Sequence, residues 1–340
     1  MEKKIRVGHI GTRHDHSTGK LDCVRKFPDT FEVVGIVEQD PDWQNRIRDL
    51  PSYEGIPFMT EEELFDRGVD CVLVEGFEYD LPQVAKRCVE NGAAVHIDKP
   101  AGKDLQTFED VLRIAKGKNL PVQMGYMYRY NPAVLDCLKR IREGELGEIC
   151  NVTAIMNTGH CAAKRQWLTQ FDQGGIMFFL GCHMVDLVHR IQGVPDTITP
   201  FLTQSGIGGT TAVDQGTAIF SYPNGTTIVQ ANACEINGYG RRQLVVCGSK
   251  GTYEIHPLEC PIQVRLTTEK EAHCYEDRHS VPKIPTVARD ARYDDMIMDL
   301  ADMIRGRKEN PFSYEYELQT QRMVLAACGY PVDIHAPVTL

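Results

Sequence analysis

A chain of 340 residues exceeds what one ordinary core serves and points to two domains. Its formal net charge of −10 argues against a non-specific nucleic-acid or anionic-membrane partner and favours a small-molecule ligand, with room for a local basic pocket. No apolar run approaches the about 20 residues needed to span a bilayer, and the opening MEKKIRVGHIG has no signal-peptide core, so the expected location is cytoplasmic. Twelve cysteines without a CxxC pair read as reduced thiols rather than as a disulfide framework or a structural zinc site.

In chain order, IRVGHIG, FEVVGIVE, VDCVLVEG, AAVHIDKP and LPVQMGY have the length and composition of buried strands. The helical segments KLDCVRKF, EEELFDRG, LPQVAKRCVENG and LQTFEDVLRIAKGKN lie between them. Near-continuous Val/Ile/Leu strands alternating with amphipathic helices predict a doubly wound parallel sheet of Rossmann type over residues 1–125. Beyond it the rhythm changes to a helix (PAVLDCLKRIREGELGE), a strand (ICNVTAIM), a helix (IMFFLGCHMVDLVHRIQG) and a run of strands. GTAIFSYPNGTTIVQANA and RRQLVVCGSKGTYEIHP read as hairpins, the first turning at Asn224-Gly225. Two helices, YDDMIMDLADMIRG and EYELQTQRMVLAACG, close the chain, so 126–340 is expected to form an α+β domain with a large, open, mostly antiparallel sheet.

In such sheets ligands bind outside the carboxyl ends of the strands. Gly11 supplies the tight turn of a dinucleotide fingerprint, but Arg13 and His16 stand where its second and third glycines would be. Thr12, Arg13 and His14 are therefore cofactor-loop candidates. Glu38 closes the second strand 27 residues after Gly11, where a carboxylate can accept from ribose hydroxyls and repel a 2′-phosphate. NAD is expected over NADP unless Arg13 offsets that repulsion. In VLVEGFEYDLP, Glu75 and Gly76 reach the same edge, and a bare carboxylate there calls for a partner, for which Arg13 is the candidate. In VHIDKPAG, Lys99 sits on a backbone fixed by Pro100 and can donate to a substrate hydroxyl and to the cofactor. A metal on His14 and His16 is not expected, because no acidic cluster completes a site in the sequence.

HIDKP resembles the EKP motif of the Gfo/Idh/MocA oxidoreductase family, with Asp98 in place of the glutamate. GYMYRYNPA, GELGEI, GGIMFFLGCHMVDLVHRIQG and VVCGSKGTYEI are similar to further family segments in the same order, so the resemblance covers essentially the whole chain. It implies Lys99 and His183 as the catalytic pair, the imidazole taking the proton of the hydroxyl oxidised. Asp186, one helical turn on, is expected to orient a neighbour. Arg129 joins the cofactor-binding candidates; Tyr126, His160, Trp167 and Phe179 join Lys99 and His183 as substrate-binding candidates. Tyr128 is a further possible polar partner.

One departure is Phe179, where many relatives carry an aspartate four residues before the histidine. A phenyl ring can stack on a sugar face but cannot hydrogen-bond. The leading expectation is an NAD-dependent oxidoreductase acting on a secondary hydroxyl of a sugar, glycoside or cyclitol bound on the second domain's sheet. Alternatives are a redox-assisted glycosidase or lyase that recycles tightly bound NAD, and a non-catalytic NAD-binding regulator. The resemblance also implies a homodimer or homotetramer formed through the C-terminal sheet.

Overall fold

The computed structural model describes residues 2–259, 261–273 and 275–340. The chain forms two compact units: one of residues 1–127, 290–318 and 338–340, the other of residues 128–289 and 319–337.

In the first unit, β1 (Ile5–Ile10), α1 (Ser17–Arg25), β2 (Phe31–Val37), α2 (Pro41–Ile47) and α3 (Glu61–Asp66) lead to β3 (Cys71–Val74). Then follow α4 (Leu81–Glu90), β4 (Ala94–Ile97), α5 (Leu105–Lys118) and β5 (Val122–Met124). The five strands are all parallel, in the order β2-β1-β3-β4-β5. Every residue of β3 and β4 is buried, as expected of strands covered on both faces. Local chemistry sets the helix starts: Asp40 caps α2 ahead of Pro41, Thr60 and Glu63 form a capping box on α3, and Asp104 accepts from Thr107 N–H on α5. Because the chain runs outward from β1 to β2 and then returns past β1 to β3, the crevice lies at the carboxyl ends of β1 and β3.

The second unit contains α6 (Pro132–Arg142), β6 (Ile149–Ile155), α7 (Ala162–Trp167), α8 (Cys182–Gln192), β7 (Thr197–Thr203), β8 (Gln215–Tyr222) and β9 (Gly225–Asn232). It continues through β10 (Gln243–Gly248), β11 (Gly251–Ile255) and β12 (Val264–Thr268). The seven-stranded sheet runs β12-β11-β10-β6-β9-β8-β7, antiparallel throughout except for the β6–β9 pair. Its strands alternate: Gly216, Ala218 and Phe220 are buried, as are Val229 and Ala231. The fully buried start of α8 covers this inner face, while Phe201 and Ile228 on the other face are 58% and 37% exposed. The β8–β9 turn is Pro223-Asn224 rather than Asn224-Gly225, since Tyr222 pairs directly with Gly225 and the fixed φ of proline suits the turn's first central position.

Two more helices follow, α9 (Asp294–Ile304) and α10 (Tyr314–Ala327). The expected single domain over 126–340 is corrected here: α9 belongs to the first unit, and α10 begins in the first and continues in the second. Gln123 of β5 donates to the Met296 carbonyl at 2.9 Å, and Met296, Ile297 and Leu300 bury the helix's apolar stripe. Among the described residues no helix is long and apolar enough to cross a membrane, and none of the ten described cysteines forms a disulfide.

Candidate active site

Gly11 adopts φ +86°, and a Cβ there would come within 2.5 Å of the backbone of Gly76, so the loops after β1 and β3 touch backbone to backbone. Over Gly76 a Cβ would meet open space. Thr12 donates to Glu38 Oε2 at 2.5 Å, Asp40 N–H donates to Oε1 at 3.1 Å, and Trp43 Nε1 donates to the Thr12 hydroxyl at 3.0 Å. Glu38 is thus fixed at the end of β2, half-buried, as a ribose-binding carboxylate must be. These features fit a dinucleotide.

The expected Arg13–Glu75 pair is overturned. Arg13 lies on the surface, ion-paired to Asp40 and 5.4 Å over the Trp43 ring, which directs it to the β2 side. Glu75 turns inward, fully buried, with Lys20 Nζ at 3.7 Å, His14 Nδ1 at 3.9 Å and His96 Nε2 at 3.9 Å. Desolvation is the reason: a buried carboxyl is favoured beside an ammonium that is also buried, and Lys20 on α1 supplies one at 3.7 Å.

Around Glu75 lies a closed polar network. Lys20 Nζ is 2.6 Å from His96 Nε2 and 3.4 Å from Asp98 Oδ2; His96 Nδ1 is 2.8 Å from Gln123 Oε1. Asp98 Oδ2 also meets His16 Nδ1 at 3.0 Å and His14 Nδ1 at 3.2 Å. Burial, reinforced by the Asp98 charge, pushes the Glu75 carboxyl well above the usual range, favouring its neutral form. Against burial, His14, Lys20 and His16 hold Asp98 well below it. Burial pulls His96 down to about 3, with Lys20 adding to the effect, and the imidazole is neutral. Gly125 allows this packing, since a Cβ there would lie 3.0 Å from Asp98 Oδ1 and 3.2 Å from Lys20 Nζ. Lys99 follows directly: fully buried at the end of β4, its N–H donates to Asp98 Oδ1 at 2.6 Å. Tyr126, in the same unit, is also buried.

The sequence shows no acidic cluster beside His14 and His16; the fold brings one carboxylate to them. Asp98 meets both rings, although it lies 82 residues beyond His16, and only the parallel sheet brings them together.

In the second unit, a π-turn over Met177–Gly181 precedes α8 and His183 stands in the first turn of that helix, a placement common at functional sites. The His183 ring meets the Tyr128 ring edge-on at 5.1 Å and 84°. Tyr128 donates to Glu259, which also accepts from Arg242 at 3.1 Å, and Arg242 Nε donates to the Asn157 carbonyl at 3.1 Å. Burial and the Glu259 charge keep the Tyr128 hydroxyl well above its ordinary pKa, hence protonated. Arg129, expected to contact cofactor, instead grips Asp186 through Nε and an Nη at 2.6–3.1 Å, both side chains buried; this is the neighbour Asp186 orients.

Phe179 does not offer a free face to a sugar. Its ring stacks on Phe171 at 5.6 Å and 11°, with Trp167 edge-on at 5.1 Å, and is 4% exposed. Phe179 lies within the π-turn, whose wider i→i+5 spacing departs from the α-helical face pattern. Half-buried Trp167 is its outer member, with Lys164 Nζ 3.8 Å from the ring centroid. His160 is half-buried; its N–H donates to the Ala233 carbonyl at 2.8 Å, and its own carbonyl accepts from Arg165 at 2.7 Å. Lys20, His96, Glu259, Arg242 and Asn157 were not singled out from sequence. His96 and Asp98 lay in plain view within VHIDKP, whereas nothing marks Lys20 in one sequence as a buried cation.

A parallel sheet with a left-handed glycine turn after β1, an acid closing β2 and a buried lysine after β4 defines a dinucleotide-dependent enzyme class. Residues 5–126 match the family model described as "Oxidoreductase family, NAD-binding Rossmann fold", and residues 134–254 match the "GFO/IDH/MocA C-terminal domain". The chain belongs to the Gfo/Idh/MocA oxidoreductase family, and its first unit is an NAD-binding Rossmann domain. It is 38% identical over 153 residues to inositol 2-dehydrogenase 1 of Saccharopolyspora erythraea, covering 42% of this chain and 43% of that protein. It is 23% identical over 203 residues to 2,7-anhydro-N-acetylneuraminate hydratase of Escherichia coli K12, covering 58% and 54%. The chain thus spans about half the length of the curated relatives it matches. The fold is that of an Agrobacterium radiobacter oxidoreductase solved with NAD+, L-tartaric acid and magnesium, with a TM-score of 0.79, 16% identity and coverage of 98% and 99%.

Proposed function

We propose that the protein oxidises, or in reverse forms, a secondary hydroxyl of a sugar, glycoside or cyclitol. The observation that carries this reading is Lys99, a fully buried lysine at the carboxyl end of β4 whose backbone is tied to Asp98. When bound, NAD supplies the hydride acceptor. Gly11, Thr12, His14 and Gly76 line the crevice for its phosphates, and Glu38 receives the ribose hydroxyls. Lys99 donates to the substrate oxygen and stabilises charge as it develops there, which raises the rate only as far as that charge exceeds the ground state's. His183 accepts the hydroxyl proton on its imidazole and returns it in reduction. Tyr126, His160 and Trp167 are the remaining substrate contacts. Inositol dehydrogenases among the relatives support a cyclitol-like substrate.

The test is to screen polyols, sugars and glycosides with NAD+ for the absorbance of reduced cofactor. Turnover lost in both Lys99→Ala and His183→Ala supports the assignment; full turnover in either removes that residue from it.

A redox-assisted lyase is the second reading. It is favoured by Phe179, which stands where many relatives carry an aspartate and whose ring packs into the aromatic cluster, and by the relative named as a hydratase. Product cleavage or dehydration without net reduced cofactor would select it. The outer sheet face carrying Phe201 and Ile228 is the proposed contact between copies of the chain.

A further inference from the structure

Two residues beyond Glu38 stands a second carboxylate, Asp40, and its partner is the arginine of the loop after β1. We propose that Asp40 makes the cofactor site selective for NAD over NADP: it occupies the Arg13 guanidinium, which is otherwise free to receive a 2′-phosphate, and it adds a negative charge of its own at the end of β2. The inference rests on Glu38 as the ribose acceptor and deepens that reading.

Connectivity is the first argument. Glu38 Oε2 accepts from the Thr12 hydroxyl at 2.5 Å and Oε1 from the Asp40 N–H at 3.1 Å. A carboxylate has about four lone-pair sites, so about two are left for the neighbouring hydroxyls of a ribose. An ionised phosphate brings no such donors and needs a cation instead. Arg13 follows Thr12 directly in the chain, and its guanidinium has the planar fork that matches phosphate. Asp40 Oδ2 takes that guanidinium through Nη2.

The second argument is that Asp40 is itself held. Its Oδ1 accepts from the Asp42 N–H at 3.0 Å and the Trp43 N–H at 3.2 Å, so the first turn of α2 fixes the carboxylate. The Trp43 N–H foremost, with that of Asp42 and the guanidinium adding to it, holds the Asp40 carboxyl below its ordinary range and keeps it charged. Trp43 completes the arrangement: its ring lies 5.4 Å from the guanidinium, and its Nε1 donates to Thr12 at 3.0 Å. Arg13 is thus held by a fixed charge and by a ring that is tied to the Glu38 cluster.

Access and size follow from exposure. The Arg13 and Asp40 side chains are 49% and 45% exposed, so a ligand can reach the pair. Exposed pairs are weak and screened by salt, which makes the selectivity about tenfold rather than thousands-fold, and largest at low ionic strength.

The experiment titrates NAD+ and NADP+ into the whole protein by calorimetry, at low and at physiological salt. Asp40→Asn keeps a capping oxygen for α2 and the backbone N–H for Glu38 while it removes the charge. The ratio of NADP+ to NAD+ affinity should rise about tenfold, and further at low salt. Adding Arg13→Ala should erase most of that rise, because the released guanidinium is the group that receives the phosphate. Asp40→Ser, another good cap, provides the same reading should the asparagine variant fail to fold. An unchanged ratio in the Asp40 variants, or a rise that survives Arg13→Ala, would overturn the proposal. Glu38→Ala, titrated alongside, separates the two readings. A ratio that responds to Glu38 but not to Asp40 removes the role of Asp40 and leaves the ribose site; a ratio that responds to neither removes both.

Discussion

Exchanging Lys20 and Glu75 one at a time separates the two charges of the buried network. Lys20→Met keeps the stem and removes the ammonium, leaving the Asp98 charge without a partner 3.4 Å away. At an effective dielectric of about 20, that pair is worth about 5 kcal/mol, and breaking a buried pair by removing one partner costs about 3–5 kcal/mol. Glu75→Gln replaces a carboxyl whose environment favours the neutral form with an amide of the same shape, so it should cost less than about 1 kcal/mol. The assay is urea unfolding. Trp43 lies in the first unit and Trp167 in the second, so in a Trp167→Phe background the fluorescence reports the first unit alone. With a slope of about 2–3 kcal/mol per molar, Lys20→Met should lower the midpoint by about 1–2 M and Glu75→Gln by less than about 0.5 M. The pH dependence has a definite sign. Because the folded pKa of Glu75 lies above its ordinary 4.5, its contribution is complete below that value and is lost as pH rises toward the folded pKa. Glu75→Gln should therefore flatten the stability loss on the alkaline side. Equal destabilisation by the two variants would refute the reasoning, since Glu75 would then be an ionised partner of Lys20.

Three further outcomes follow from the same geometry. Arg129→Met strands the buried Asp186 carboxylate and should destabilise the second unit by about 3–5 kcal/mol, read from Trp167 fluorescence in a Trp43→Phe background. Glu38→Ala removes the acceptor held by Thr12 and the Asp40 N–H; NAD affinity should fall about tenfold while NADP affinity rises, by isothermal titration, and an unchanged ratio would remove Glu38 from the ribose site. His183→Ala should lower kcat by about 10²–10⁴ with NAD affinity retained, measured by stopped-flow absorbance on whichever polyol the screen identifies.

Much of this protein is written locally in its sequence. The alternation of buried strand and amphipathic helix, Gly11 before a helix, Glu38 closing β2 and the ordered motifs around Lys99 and His183 are short-range patterns, set by burial periodicity and backbone sterics. They led to the Rossmann unit, the mixed sheet and the family. Tertiary structure decided what the charged groups do. Arg13 and Glu75 stand at adjacent strand ends, but a side chain's partner depends on which way it leaves the backbone and how much water it keeps; Arg13 stays at the surface with Asp40, while Glu75 sinks to Lys20. α9 reads like any other late helix, and only its packing against β5 assigns it to the first unit. The π-turn that carries Phe179 away into an aromatic cluster leaves no trace in a 3.6-residue pattern. Likewise, the meeting of His14 and His16 with Asp98 has no periodicity to betray it, because residues 82 and more positions apart become neighbours only when parallel strands align their carboxyl ends.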